Sequence, residues 1–193
     1  MKARNIVILL VLLAVLGGAF YIVARPKPGP AQQPKDYVWM IEQESIARIT
    51  MTLPKETPPL SESFVRISQG DKFPWFFDDP QHSPVDAQRW GGGIPLLLSG
   101  PGADRVVAQS ATPEELAKFG LNNPSMDILL QMDDGKDMHI KVGDRTPDGN
   151  NFYVEAPSTT AVATVDYTWY QVLEKIIRDP PYATVATPTT TAK

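Results

Sequence analysis

The sequence predicts an α+β fold: a single exported domain of antiparallel β-strands and hairpins with two or three packed helices, tethered by one N-terminal transmembrane helix. Three observations carry this expectation. Ile6 to Ala24 runs for 19 residues without a charge or a proline. At about 1.5 Å of rise per residue, a helix of that length spans the roughly 30 Å hydrocarbon core of a bilayer. Downstream, short segments of alternating polarity are punctuated by turn residues such as Asp134-Gly135, the pattern of hairpins. Two further segments, opening at Thr112 and Asp166, start with a cap and continue with helical spacing.

The span comes first. Ile6, Leu10, Leu13, Leu16, Phe20 and Tyr21 mark out the membrane anchor. A cleaved signal peptide is the rival reading, and Lys2 and Arg4 suit it. A signal h-region is shorter, however, at about 7–15 apolar residues. Ile22-Val23-Ala24 is also a poor A-x-A site, and Arg25-Pro26 follows it. The chain has no cysteine, so a lipoprotein anchor is excluded. The amino terminus, Lys2 and Arg4 outweigh Arg25 and Lys27 slightly, which places the N-terminus inside. Residues 1–5 are then cytoplasmic and the bulk of the chain is periplasmic, at the inner membrane of a bacterium. Gly17-Gly18 lacks GxxxG spacing and reads as ordinary glycine in a span.

Arg25 to Lys35 holds four prolines and one glycine, a semi-extended spacer. Residues 36–178 form the extracytoplasmic domain, about 140 residues, enough for one core. Beyond the span the 18 basic residues fall to 16 with Lys2 and Arg4 set aside, against 22 acidic, a net charge of −6. That balance argues against nucleic acid as a partner. Without cysteine the fold rests on packing alone. Nineteen prolines imply short, frequently punctuated elements.

In order, Tyr37 to Leu53 reads as two strand segments, YVWMI and ARITMTL. The second sets Ile49, Met51 and Leu53 on one face and Arg48, Thr50 and Thr52 on the other. Phe64–Ser68 and Phe73–Phe77 read as a hairpin around Gln69-Gly70-Asp71. Ser83-Pro84-Val85-Asp86 looks like a helix start with serine as the cap. That helix carries Val85, Trp90 and Leu96 to Leu98, broken at Gly91–Gly93 and Pro95. Arg105–Gln109 is a short strand. Thr112-Pro113-Glu114-Glu115 has capping-box spacing and opens a helix ending at Gly120. Met126–Met132 and Met138–Val142 pair around Asp134-Gly135. Asn151–Glu155 and Ala161–Val165 make a further pair. Asp166 caps a helix over Tyr167–Arg178 whose apolar positions are Trp169, Val172, Leu173, Ile176 and Ile177. Asp179-Pro180-Pro181 stops it, and residues 179–193 form a Thr/Pro-rich tail with no packing pattern.

Leu116-Ala117-Lys118-Phe119-Gly120-Leu121-Asn122-Asn123-Pro124 resembles the L-x-x-[FY]-G-L-x-x-P signature of a bacterial membrane-anchored domain-of-unknown-function family, DUF four-three-four-zero. The resemblance continues through Asp134-Gly135-Lys136, Val142-Gly143-Asp144-Arg145-Thr146-Pro147 and Phe152-Tyr153-Val154, with Pro84-Val85-Asp86-Ala87 and Leu96 to Gly100 upstream. It implies a membrane-anchored, exported protein; some members neighbour ABC-type transporter components of the gliding-motility sort. It implies no catalytic residue, because none is established for the family. The sequence departs from the pattern with Phe73-Pro74-Trp75, where a G-x-W-x-L strand is commoner, and with Gly91 to Gly93 in the helix.

Candidate chemistry is sparse. Asp144, Thr146, Asp148, Gly149 and Glu155 reproduce EF-hand positions, but both flanks read as strands, so a hydrogen-bonded hairpin loop is the expectation. His82 and His139, the two histidines, have no ligand cluster beside them, and no metal site is expected. No G-x-S-x-G is present. Asp78-Asp79 and Asp133-Asp134 sit beside turn residues, where aspartate bonds its own backbone. No Lys-Ser/Thr follows the glycine run, which removes a phosphate loop. The aromatics Phe73, Trp75, Phe76, Phe77 and Trp90 cluster, and on a strand they cannot all point inward. They are the candidate protein contact.

The expected function is a non-enzymatic accessory or scaffold subunit of a larger bacterial membrane complex, of ABC-transport or photosynthetic or respiratory type. Its partners are integral membrane and extracytoplasmic subunits, with the bilayer engaged through the N-terminal helix, and no cofactor is expected. The alternative is an exported ligand-binding module for envelope glycan or peptide. The two readings separate on geometry: flat contacts for a scaffold, an open cleft lined by aromatics for a binding module.

Overall fold

The computed structural model describes residues 36–70, 74–90 and 93–183. The anchor at 6–24, the spacer at 25–35, Phe73, Gly91 and Gly92, and the tail from 184 lie outside the described residues. Among the described residues no helix is long and apolar enough to cross a membrane.

Strand β1 (Ile46–Leu53) is where the architecture starts. Its alternation buries Ile49, Met51 and Leu53 on one face, as its period-2 pattern dictates. It pairs on one side with β2 (Leu60–Arg66) and on the other with β5 (Met126–Met132), both antiparallel. β3 (Trp75–Phe77) adds to β2, setting Phe64 opposite Phe77. From β5 the sheet continues through β6 (Asp137–Arg145), β7 (Asn151–Glu155), β8 (Val162–Asp166) and β4 (Arg105–Ala108). All eight strands form one antiparallel sheet in the order β3-β2-β1-β5-β6-β7-β8-β4.

Four short α-helices join it: α1 (Ala87–Trp90), α2 (Ile94–Ser99), α3 (Pro113–Lys118) and α4 (Tyr167–Arg178). The protein is thus a mostly antiparallel sheet with a few helices, an α+β domain. α4 runs from the Asp166 cap, whose side chain accepts from Thr168 N. It lies across β1, β2, β7 and β8 and buries Trp169, Tyr170, Leu173, Ile176 and Ile177. Val172 is 42 % exposed, against the sequence expectation. At about 100° per residue, Val172 lies about 100° from Leu173, the middle of the buried stripe, whereas Tyr170 lies only about 60° from it. Tyr170 stacks on Phe152 with centroids 3.9 Å apart.

Other expectations shift for local reasons. Residues 37–41 are not a strand. Val38 N donates to Pro101 O (3.0 Å) and Ile41 N to Ser99 O (2.8 Å), but the facing segment carries Pro101, which has no N–H to return. The helix near residue 83 starts later. Ser83 O accepts from Phe77 N (2.9 Å), and Pro84 and Val85 bridge to Phe76 and Tyr182. Asp86 is the cap instead, its Oδ1 accepting from Gln88 N and Arg89 N at 2.8 and 3.1 Å. The predicted single broken helix is two helices, α1 and α2. The domain also runs beyond residue 178. Asp86 N donates to Pro181 O (2.7 Å), Ala183 N donates to Pro84 O (3.1 Å), and Tyr182 stacks on Phe77 at 3.9 Å.

The opposite sheet face is covered in part. α3, closed by the expected capping box between Thr112 and Glu115, packs Leu116 and Phe119 over Tyr153 and Val162. The turn after α3 is clasped to a register shift in β6. Asp144 N donates to Phe119 O (2.8 Å). A Cβ at Gly143 would stand 2.1 Å from that same oxygen, and one at Gly120, where φ is +73°, would stand 2.4 Å from Asp144 Cγ. The two motifs that look separate in the sequence are therefore the two halves of one contact.

Gly143→Ala is expected to lose about 3 kcal/mol or more of stability, the upper end of the cost of inserted volume, because backbone rather than a flexible side chain must move. Urea unfolding of the variant checks this, and an unchanged midpoint would refute the clasp.

Candidate functional site

At the β3 edge of the sheet the chain builds an aromatic groove of about 450 Å³, lined among the described residues by Gln69, Pro74, Trp75, Phe76, Pro84, Val85, Ala87, Trp90 and Pro95. That volume lies within the range of small-ligand and peptide sites. Trp75 and Phe76 are consecutive strand residues and point to opposite faces, so a groove that touches both runs around the edge of the sheet.

The sequence-predicted contact residues divide between core and surface. Phe77 (2 % exposed) and Trp90 (5 %) are buried, and Phe64 packs against both, at 5.0 and 4.7 Å. Phe77 is core and not a contact residue. Trp90 is core by burial but shows part of its surface to the groove. Trp75 and Phe76 are half-buried, and Trp75 lies 5.7 Å from Trp90. Phe73 lies outside the described residues. Sequence reasoning missed the walls supplied by Pro74, Pro84, Val85 and Pro95. The one available signal was the density of prolines through this stretch, which marks turns without saying what they enclose.

The four tryptophans of the chain differ in how their indole N–H is used. Trp39 Nε1 donates to Leu98 O (2.8 Å) and Trp169 Nε1 to Leu97 O (2.9 Å), so both tie to the last turn of α2. The indole N–H groups of Trp75 and Trp90 have no hydrogen-bond partner among the described residues.

A second cleft, of about 420 Å³, lies beside the β5–β6 turn between Trp39, Ile41, Met132 and Met138, rimmed by Asp133, Asp134 and Asp137. Asp134 is engaged by its own turn. Its Oδ1 accepts from Lys136 N (3.1 Å) and its Oδ2 from Lys136 Nζ (2.5 Å), and the lysine holds the carboxyl below its ordinary value. Asp79 likewise accepts from Ser83 N and Gln81 N, both at 3.0 Å, while Asp78 is bound to Arg48. The aspartate pairs thus serve turns and an ion pair.

The EF-hand-like residues sit in the β6–β7 hairpin and serve separate partners. Asp144 meets Lys55 at 2.9 Å and Glu155 meets Lys141 at 3.4 Å. Asp148 accepts from Thr146 Oγ1 at 2.6 Å, which lowers its pKa. His139 is exposed on β6, and His82 sits in a turn with φ +48°. Among the described residues no group of three His, Asp or Glu side chains could hold a metal ion.

One carboxylate stands apart. Glu62 projects from the core face of β2, paired opposite Met51, and has no hydrogen-bond or ion-pair partner among the described residues. Burial pushes its pKa up from 4.5.

A family model described as Domain of unknown function (DUF4340) matches residues 75–179, more than half of the chain, from the first residue of β3 to the residue after α4. Comparison with curated proteins and with solved structures gives no match.

Two outcomes follow from this geometry. Trp90→Ala is expected to lose about 3–5 kcal/mol, the cost of emptying a core aromatic site, whereas Phe76→Ser loses far less; chemical denaturation of both variants orders them. For Glu62 the folded pKa lies above the unfolded one, so its stabilising effect is complete below pH 4.5 and is lost as the pH rises through the folded value. Glu62→Gln therefore raises the melting temperature at pH 7, and the gain disappears as the pH is lowered below 4.5. A gain that persisted at acid pH would refute this.

Proposed function

The chain belongs to the DUF4340 family, and on that premise we propose that it is a non-enzymatic accessory subunit of a bacterial membrane assembly, holding a peptide segment of a partner protein in the aromatic groove. The N-terminal stretch Ile6–Ala24 anchors it in the inner membrane as a single span, with residues 1–5 inside and residues 36–183 in the periplasm. The spacer at 25–35 separates anchor from domain. The assembly is of ABC-transport, photosynthetic or respiratory type, and its neighbours are integral membrane and extracytoplasmic subunits.

The observation that carries the reading is the groove itself. A scaffold with only flat contacts needs no such concavity, and a module that receives a segment does. Its walls favour peptide over glycan. A sugar ring stacked on an aromatic still presents hydroxyl groups that need partners, since burying them unpaired costs roughly 1–3 kcal/mol each, and among the described residues the groove offers few, the Gln69 amide and the indole N–H groups of Trp75 and Trp90. Among the described residues these walls hold no titratable side chain, which supports the non-enzymatic reading.

Extraction of native membranes in mild detergent, purification through a C-terminal tag and mass spectrometry test the proposal. One membrane assembly is expected to co-purify in stoichiometric amount with the parent protein and to be lost with Phe76→Ser, whose melting temperature falls far less than that of Trp90→Ala. Recovery of a lone, monodisperse protein would overturn it.

A further inference from the structure

We infer that the exported domain rests on the bilayer surface through an apolar patch of Tyr37, Met40 and Leu96, which enters the headgroup layer of neutral lipid. The inference rests on the membrane anchorage proposed above and names a second contact of the same chain with the same membrane.

Three observations carry it. The first is exposure in one place. Met40 (68 % exposed), Leu96 (60 %) and Tyr37 (55 %) are the three most exposed large apolar side chains among the described residues. They share one strip of surface. Residues 36–41 run antiparallel beside 99–103, the segment that leaves α2. Ala103 N donates to Asp36 O (2.6 Å), Val38 N to Pro101 O (3.0 Å) and Ile41 N to Ser99 O (2.8 Å), and Tyr37 bridges to Gly102. Ser99 Oγ in turn donates to Leu96 O (2.9 Å). Apolar residues scattered singly are ordinary on a surface, whereas a cluster marks a contact.

The second is that the patch is held outward. Ile94 and Leu98 form the buried side of α2, and at about 100° per residue Leu96 stands about 160° from each. The indole N–H groups of Trp39 and Trp169 bond the Leu98 and Leu97 carbonyls, which fixes both α2 and the segment that carries Met40. The Tyr37 ring lies against Gly100, where a Cβ would stand 3.4 Å from its Cδ1. Groups fixed in this way lose little freedom on docking.

The third is where the tether joins. The spacer ends at Lys35, and Tyr37 and Met40 follow almost at once. Residues 25–35 reach at most about 40 Å when fully extended, so the bilayer that holds the span is the surface kept nearest to this patch along the chain. Such tethering raises the effective concentration of that surface, and a small contact then suffices. Tyrosine suits the headgroup level, and Met and Leu suit the acyl boundary beneath it. The exposed charges that flank the strip, Asp36 and Glu42, are acidic. Anionic lipid is therefore not the attraction, and the contact is apolar and insensitive to salt.

The test uses the full-length chain with carbon-13-labelled methionine methyl groups in phosphatidylcholine nanodiscs, with and without phosphatidylcholine bearing a nitroxide near the head of one acyl chain. The six methionines are assigned by single Met→Leu variants. The nitroxide is expected to remove most of the Met40 signal and to spare those of Met51 and Met126, both fully buried. Leu60→Met adds an exposed reporter opposite Leu53, roughly 23 Å along β1 from Ile46, and its signal is expected to persist. Raised salt leaves the Met40 loss unchanged, and Leu96→Ser reduces it severalfold. Equal loss at the Leu60→Met reporter, which marks a freely tumbling domain, would overturn the inference, as would an unaltered loss in Leu96→Ser. The two proposals separate cleanly. If the chain enters the nanodisc and Met40 keeps its signal, the docked patch is wrong and the anchor stands. If the chain does not enter the nanodisc, the anchor falls and the docked patch with it.

Discussion

Everything in this domain hangs on the antiparallel pairing of β1 with β5. Ile46–Leu53 and Met126–Met132 lie far apart in the sequence, with β2, β3 and β4 and helices α1, α2 and α3 between them, yet they are neighbours at the middle of the sheet. On their shared face Ile49, Met51, Met126, Ile128 and Leu130 are completely buried. β2 and β3 can join only through β1, and β6, β7, β8 and β4 only through β5. A slip of one residue in this register would turn the buried set of one strand to the other face. The helix α4 spans both halves and locks the pairing from above, so its stripe and the β1–β5 register specify each other.

That central constraint explains why the edges are where function is to be sought. Inside the sheet the strands pair on both sides and their apolar side chains are buried in the core. At the β3 edge the chain instead closes the ladder with irregular segments, 83–85 and then 181–183. Such closure guards an exposed edge against pairing with another chain. It also leaves side chains, not backbone, facing outward, and the aromatic groove is the result. The same segments that protect the edge supply Pro84 and Val85 to its wall.

Much of the fold was legible because its signals are local. The capping box at Thr112, the Asp134-Gly135 turn, the cap at Asp166 and the alternation of β1 each act within a few residues, and each element formed where its pattern said. What was not legible is what depends on distant partners. Residues 37–41 have strand composition, but the segment they face includes Pro101 and cannot complete a ladder. Ser83 has the form of a cap, but its carbonyl accepts from Phe77, and Asp86 caps instead. Tyr182 sits in a stretch with no packing pattern and is held by stacking on Phe77. The groove belongs to this second class. Its aromatic residues were visible in sequence, but the burial of Phe77 and Trp90 depends on Phe64, which packs against both from the neighbouring strand.

The backbone clasp and the candidate site lie on different parts of the molecule, and the family match over residues 75–179 takes in both. Phe119-Gly120-Leu121 and Gly143-Asp144 meet in a backbone clasp that admits no side chain, on the sheet face opposite the core covered by α4. Their need for glycine is steric, so these positions report how the sheet is fastened. Pro74, Trp75 and Phe76 form one wall of the groove. A fold held by its fixed clasp can vary this wall without disturbing the β1–β5 register, since β3 is an outer strand with one regular neighbour. Substitutions in the groove wall therefore probe the surface, and substitutions in the clasp probe the fold.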